Sequence, residues 1–148
     1  KGKADWRFIQ NVKDVVKIPV IANGDINSID DAKRCMEESG ADGIMIGRGA
    51  YGRPWFINQV MHFFEHKEVL DDPSLEEKFK IILEHYEDMI DYYGESVGVR
   101  MARKHIGWYS AGLKYSGTFR QKFNFLQDSQ SSLVAIKEYF SELISETE

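Results

Sequence analysis

The sequence predicts an α/β segment followed by an all-α one, and three observations carry that division. Two short apolar runs, residues 18–22 and 43–46, each end in a glycine-containing polar turn, Asn23-Gly24-Asp25 and Gly47-Arg48-Gly49. Runs of this length read as buried parallel strands. From about residue 70 onward, apolar residues recur at helical spacing with short connections between the helices. An apolar content of 43% and an aromatic content of 13% over 148 residues suffice for packed cores and argue against disorder.

The elements follow in order. Asp5 is placed to cap a first helix that turns Trp6, Ile9, Val12 and Val16 inward. That helix leads into the first strand at Ile18. Ser28 with Asp31 resembles a capping box with Asp in place of Glu. It opens a helix carrying Ile29, Ala32 and Met36, which Gly40 closes in the left-handed conformation. The second strand spans 43–46. Helix–strand–helix–strand is the βα repeat of an α/β fold. Two parallel strands alone cover neither their faces nor their edges. Residues 1–57 are therefore expected to be the C-terminal part of a (β/α)₈ barrel, its last two βα units, with the earlier strands outside the chain. Pro54 suits the start of a helix carrying Phe56, Ile57, Val60, Met61 and Phe64. Residues 58–73 read as connecting helix and linker, ending in Asp71-Asp72-Pro73. Ser74 and Glu77 form a capping box for a helix that runs to Gly94. Further helices are expected over 97–111, 118–126 and 131–144, making 74–148 a helical domain.

Composition excludes several classes. No stretch approaches the roughly 18 consecutive apolar residues of a membrane span. The polar start Lys1-Gly2-Lys3-Ala4-Asp5-Trp6 does not read as a signal peptide. A single cysteine, Cys35, rules out an internal disulfide framework and suits the cytoplasm. His62 and His66 stand four residues apart with no third ligand near in sequence, so a solvated helix face is expected there and no metal site. The unpaired strand edge and uncovered apolar faces predict that the isolated chain self-associates.

Two features suggest chemistry. The first is the pair of strand-end turns. Ligands of βα folds sit at the C-terminal ends of strands, and glycine lets backbone N–H groups approach an anion. Gly24, Gly47 and Gly49 provide that freedom, and Arg48 adds a fixed positive charge. The two turns read as part of a phosphate-cofactor site. The second is a charge imbalance. The net charge is −5, yet residues 96–127 hold six Lys/Arg and no Asp or Glu. Arg100, Arg103 and Lys104 share one helix face, with His105, Trp108 and Tyr109 close by. Cations beside aromatic rings suit RNA, whose phosphates attract the charge and whose bases stack. The alternative is that Trp108 and Tyr109 are core, while the cations are solvated or pair with the acidic helix over 76–91.

The residues also resemble a family. Ile18-Pro19-Val20-Ile21-Ala22-Asn23-Gly24-Asp25, then Gly40-Ala41-Asp42-Gly43-Ile44-Met45-Ile46-Gly47-Arg48-Gly49-Ala50 and Gly52-Arg53-Pro54-Trp55, resemble the end of the barrel of tRNA-dihydrouridine synthases. Tyr93-Gly94, Arg100-Met101-Ala102-Arg103-Lys104-His105-Ile106-Gly107-Trp108-Tyr109, Phe119-Arg120 and Phe123-Asn124 are similar to the C-terminal domain of the bacterial B-type members. The resemblance implies an FMN enzyme that uses NADPH to reduce the C5–C6 double bond of uridines in tRNA. In that chemistry the reduced flavin passes hydride to C6 and a loop cysteine protonates C5. It further implies that Asn23, Gly24, Asp25, Gly47 and Arg48 bind FMN, and that Arg100, Arg103, Lys104, His105 and Arg120 face tRNA. Asp25 beside a phosphate would be repulsive, so it is expected to take a ribityl hydroxyl or to fix its loop. The catalytic cysteine falls in earlier barrel strands. Cys35 does not inherit its role, and the chain alone is expected to be inactive. Two other readings fit fewer of these features: a helical RNA-binding module without chemistry, and a fragment of another phosphate-binding flavin barrel.

Overall fold

Capping chemistry sets most helix starts in the computed structural model, which describes residues 2–146. The chain divides into two compact units, Lys1–Asp71 and Asp72–Glu148. In the first, Asp5 accepts a hydrogen bond from the Phe8 amide and opens α1 (Trp6–Val15). Ser28 accepts from the Asp31 amide and opens α2 (Ile29–Ser39), while Asp31 accepts from the Asn27 amide. Gly40 closes α2 at φ 58°, a conformation that costs glycine nothing. Between and after these helices lie β1 (Ile21–Asn23) and β2 (Gly43–Met45). They pair in parallel with Ile21 opposite Gly43 and Asn23 opposite Met45. A 3₁₀ turn, Arg48–Ala50, leads to α3 (Trp55–His66). The core gathers Trp6, Ala22, Ile26, Ala32, Cys35, Ala41, Phe56 and Val60.

Two expectations for this unit are corrected. The first strand begins at Ile21, not Ile18. Pro19 has no N–H to give to a ladder. Val20 instead bonds to Asp42: its amide donates to Asp42 Oδ2 at 2.7 Å, and its carbonyl accepts from the Asp42 amide at 2.9 Å. Lys13 Nζ completes the clamp at 2.7 and 2.8 Å from the two carboxylate oxygens, and with the Val20 amide holds the Asp42 carboxyl below the usual range. The inner face of α1 is also narrower than its periodicity suggests. Trp6 is buried and Ile9 half-buried, but Val12 is exposed and Val16 lies past the helix end. Apolar side chains remain on the surface, Ile18 at 68%, Ile21 at 58% and Met45 at 52% exposure.

The second unit is all-α. A complete capping box, Ser74 with Glu77, opens α4 (Leu75–Tyr93). Gly94, at φ 74°, reverses the chain into α5 (Glu95–Tyr109). Next come α6 (Ser116–Phe123) and α7 (Ser129–Ser145), the latter capped by Asp128. The core holds Ile82, Tyr86, Val99, Ala102, Ile106, Phe123, Ile136 and Phe140, and Phe119 stacks on Tyr139 at 3.9 Å. Helices α5, α6 and α7 each start two residues before the expected positions, and α5 and α6 also end earlier, because turns rather than apolar spacing fix their ends. Among the described residues no helix is long and apolar enough to cross a membrane.

Candidate functional site

The two strand-end turns of the first unit come together around one cavity of about 500 Å³. Asn23, Gly24, Asp25, Ile26 and Asn27 line one side, and Gly47, Arg48 and Gly49 the other, with Met45 and Tyr51. Parallel pairing of β1 with β2 brings this about, because it places Asn23 beside Met45 and both turns at the same end of the sheet. Gly24 at φ 108° and Asp25 at φ 53° bend the first turn. Asp25 uses its carboxylate to fix the loop: Oδ2 accepts from the Ala4 amide at 2.7 Å, and Oδ1 lies 3.4 Å from Arg48 Nη2. That ion pair is exposed and weak, with the Arg48 side chain 79% accessible. A guanidinium has five donors, and this contact engages one of them.

Two residues that hold the site together were not singled out as site residues. Arg53 Nε donates to the Gly49 carbonyl at 2.8 Å and Nη2 to the Asn27 carbonyl at 2.5 Å, tying the second turn to the first. Its guanidinium lies 4.3 Å from the centre of the Phe56 ring. Trp6 Nε1 donates to the Gly24 carbonyl at 2.9 Å. Gly49 does not present open backbone to the cavity in the way its neighbours do. It is buried, and a Cβ there would run into the Ile26 carbonyl oxygen. No sequence spacing signals these roles, since the Arg53–Asn27 and Trp6–Gly24 contacts bridge residues far apart in the chain.

Cys35 is fully buried on α2, and burial pushes its thiol up. His62 and His66 pack ring to ring at 4.5 Å, and among the described residues no cluster of His, Cys, Asp and Glu could hold a metal ion.

On the second unit, α5 carries the basic face. Arg100 and Lys104 are exposed and, like Lys122 on α6, make no ion pair among the described residues. They do not pair with the acidic helix. Arg103 is half-buried, and its Nη2 donates to the Leu126 carbonyl at 2.8 Å. Arg120 is exposed and donates from Nε to the Ser116 carbonyl at 3.2 Å. Tyr109 is core, as the alternative reading held, whereas Trp108 is half-buried. Tyr109 OH and His85 Nδ1 share a 2.9 Å hydrogen bond, and burial pushes the Tyr109 hydroxyl up to about 12. His105 packs edge-on against His85 at 4.7 Å and Trp108 at 5.0 Å.

Burial lowers both histidines, and for His105 the neighbouring His85 and Lys104 lower it further. The folded state therefore prefers them neutral, while in the unfolded chain they protonate near 6.5. Their contribution to stability is complete above that value and is lost as pH falls through it. Carboxylates held low, such as Glu95 and Asp128, are lost only at more acid pH. Between pH 7.5 and 5.5 the melting temperature of the second unit is expected to fall, and His105→Gln to flatten that slope; equal slopes would refute the assignment.

A family model described as dihydrouridine synthase (Dus) matches residues 1–145. A probable tRNA-dihydrouridine synthase of Rickettsia bellii is 51% identical over 144 residues, covering 97% of this chain and 44% of the relative. A tRNA-dihydrouridine synthase B of Pseudomonas aeruginosa is 42% identical over 141 residues, covering 95% of this chain and 42% of the relative. The chain thus spans less than half the length of these relatives. With the match running through both the loop cavity and the basic helix, the chain belongs to the dihydrouridine synthase family.

Proposed function

We propose that the chain is the C-terminal part of an FMN-dependent tRNA-dihydrouridine synthase that uses NADPH as reductant. Its first unit supplies the last two βα units of a (β/α)₈ barrel, and its second unit is a helical tRNA-binding domain. The observation that carries the reading is the meeting of both strand-end turns around one cavity with the exposed Arg48 guanidinium on its wall.

The residues present fit a phosphate-bearing cofactor. The opening N–H groups of the 3₁₀ turn at Arg48–Ala50 have no partner within that turn. Arg48 brings a charge that stays positive at any working pH. Asp25, held by the Ala4 amide and Arg48, positions the first turn and keeps acceptor capacity for a hydroxyl. When bound, FMN supplies the hydride chemistry. Asn23, Gly24, Asp25, Gly47 and Arg48 bind and orient it, and Arg53 keeps the two turns in register.

We assign the acid that protonates C5 to none of the described residues. Cys35 is enclosed in the core with a raised thiol, so it cannot reach a base. The acid belongs to a segment outside these residues, and the chain alone is inactive. Arg100, Arg103, Lys104, His105 and Arg120 form the tRNA side, with Arg100, Lys104 and Arg120 as the exposed cations and neutral His105 as packing between His85 and Trp108. The working location is the cytoplasm, where tRNA is modified.

FMN titration followed by flavin fluorescence tests the reading. Saturable binding is expected, and Arg48→Ala is expected to weaken it at least about tenfold, as loss of a charged hydrogen bond does. Binding that is indifferent to Arg48 would remove these turns as the cofactor site, and no binding would mean that the site needs barrel strands outside these residues.

A further inference from the structure

We propose that Phe125, in the connection between α6 and α7, is a platform on which one unpaired RNA base stacks. The proposal rests on the tRNA reading above and deepens it by naming the residue that senses single-stranded RNA. Phe125 is 77% exposed, although the other phenylalanines of this unit are buried or half-buried. Burying such a ring elsewhere would stabilise the fold by roughly 1.5–3 kcal/mol, so its exposure has no structural benefit.

The backbone under the ring is fixed. The Phe125 amide donates to the Lys122 carbonyl and the Leu126 amide to the Phe123 carbonyl, each at 3.1 Å. Gln127 Nε2 donates to the Phe125 carbonyl at 3.1 Å, and Arg103 Nη2 to the Leu126 carbonyl at 2.8 Å. The ring is thus presented on a rigid turn, which lowers the ordering cost of binding.

Its surroundings favour a polyanion. Arg103 ties the turn directly to α5, one helical turn from Arg100 and next to Lys104, and Lys122 lies three residues before Phe125. Two carboxylates stand near the turn, each bonded to neutral groups and still charged. Asp128 caps α7 through the Ser131 amide at 2.7 Å, and Glu95 accepts from the amide and hydroxyl of Ser129 at 3.0 and 2.7 Å. Tyr92, more exposed still, sits at the end of α4, which carries six carboxylates against two lysines, whereas residues 96–127 around Phe125 carry six Lys/Arg and no carboxylate. Cations to hold the backbone beside a rigid bare ring are what an unpaired base requires, and a paired base, already stacked, gains nothing from it.

The test measures binding of the full chain to an unmodified tRNA transcript and to a blunt RNA duplex. Phe125→Ala is expected to weaken tRNA binding about tenfold, within the range of single-base stacking, and to leave duplex binding unchanged. Phe125→Trp should retain affinity and Phe125→Leu should lose it as alanine does. Arg100→Ala should weaken both ligands and lower the salt slope by about one. Rescue by leucine would mean an apolar contact with protein, and wild-type affinity in Phe125→Ala would mean no contact; either overturns the proposal while Arg100→Ala still affects binding. A native chain that binds neither RNA overturns the tRNA reading and this proposal together.

Discussion

Gly49→Ala is expected to disrupt the loop cavity outright. A Cβ at this position would overlap the Ile26 carbonyl oxygen and lie 3.2 Å from the carbonyl carbon and 3.4 Å from Ile46 Cγ2. The first two obstacles are backbone, so no rotamer change relieves them. The turns must separate, and separation breaks the Arg53 bonds that join Gly49 to Asn27. Overpacking a closed site costs about 1–3 kcal/mol, and the upper end or beyond applies where backbone meets backbone. Hydrogen exchange should show lost protection in β1, β2 and their turns, and FMN binding should disappear. Protection at the native level in the variant would show that the two turns are not held at this distance.

Gly98→Ala and Gly107→Ala are expected to change stability in opposite directions, although both glycines lie inside α5. In a helix interior alanine is favoured over glycine by about 1 kcal/mol. At Gly107 the new Cβ would meet Arg120 Cδ at 3.9 Å, an ordinary contact, so the propensity gain stands. At Gly98 it would lie 2.8 Å from the Met89 carbonyl oxygen and 2.9 Å from both Cα and Cδ1 of Ile90. Helices α4 and α5 would have to move apart, at roughly 1–3 kcal/mol, which outweighs the gain. Chemical denaturation should therefore rank Gly107→Ala above the native chain and Gly98→Ala below it. The same order for both would mean that α4 and α5 do not approach this closely.

Local chemistry was legible in the sequence. Asp5, Ser28, Gly40, Ser74 with Glu77, and Gly94 all act where their residue types and spacing put them, because a cap needs only neighbours within one turn. The run at 18–22 misled at its start, since an apolar composition does not reveal that Pro19 cannot donate or that Val20 bonds to Asp42. The cavity lining was partly legible, as both turns carry glycine and one carries arginine. The groups that hold the turns together were not. Arg53 and Trp6 act across 26 and 18 residues of chain, and although Arg53 lies in the run Gly52-Arg53-Pro54-Trp55, nothing in the local sequence of either names its partner. On the helical unit, charge counting found the basic face, but only coordinates separate the exposed Arg100 from Arg103, which is bound to a carbonyl.

Cys35 gives this chain a built-in clock. It is the one thiol in the sequence, and it is fully enclosed in the core of the first unit. A thiol-reactive dye can label it only when α2 lifts from β1 and β2. The labelling rate then counts those openings directly, with no engineered site and no signal from the helical unit. Slower labelling on adding FMN would give the cofactor's grip on the turns as a change in opening frequency.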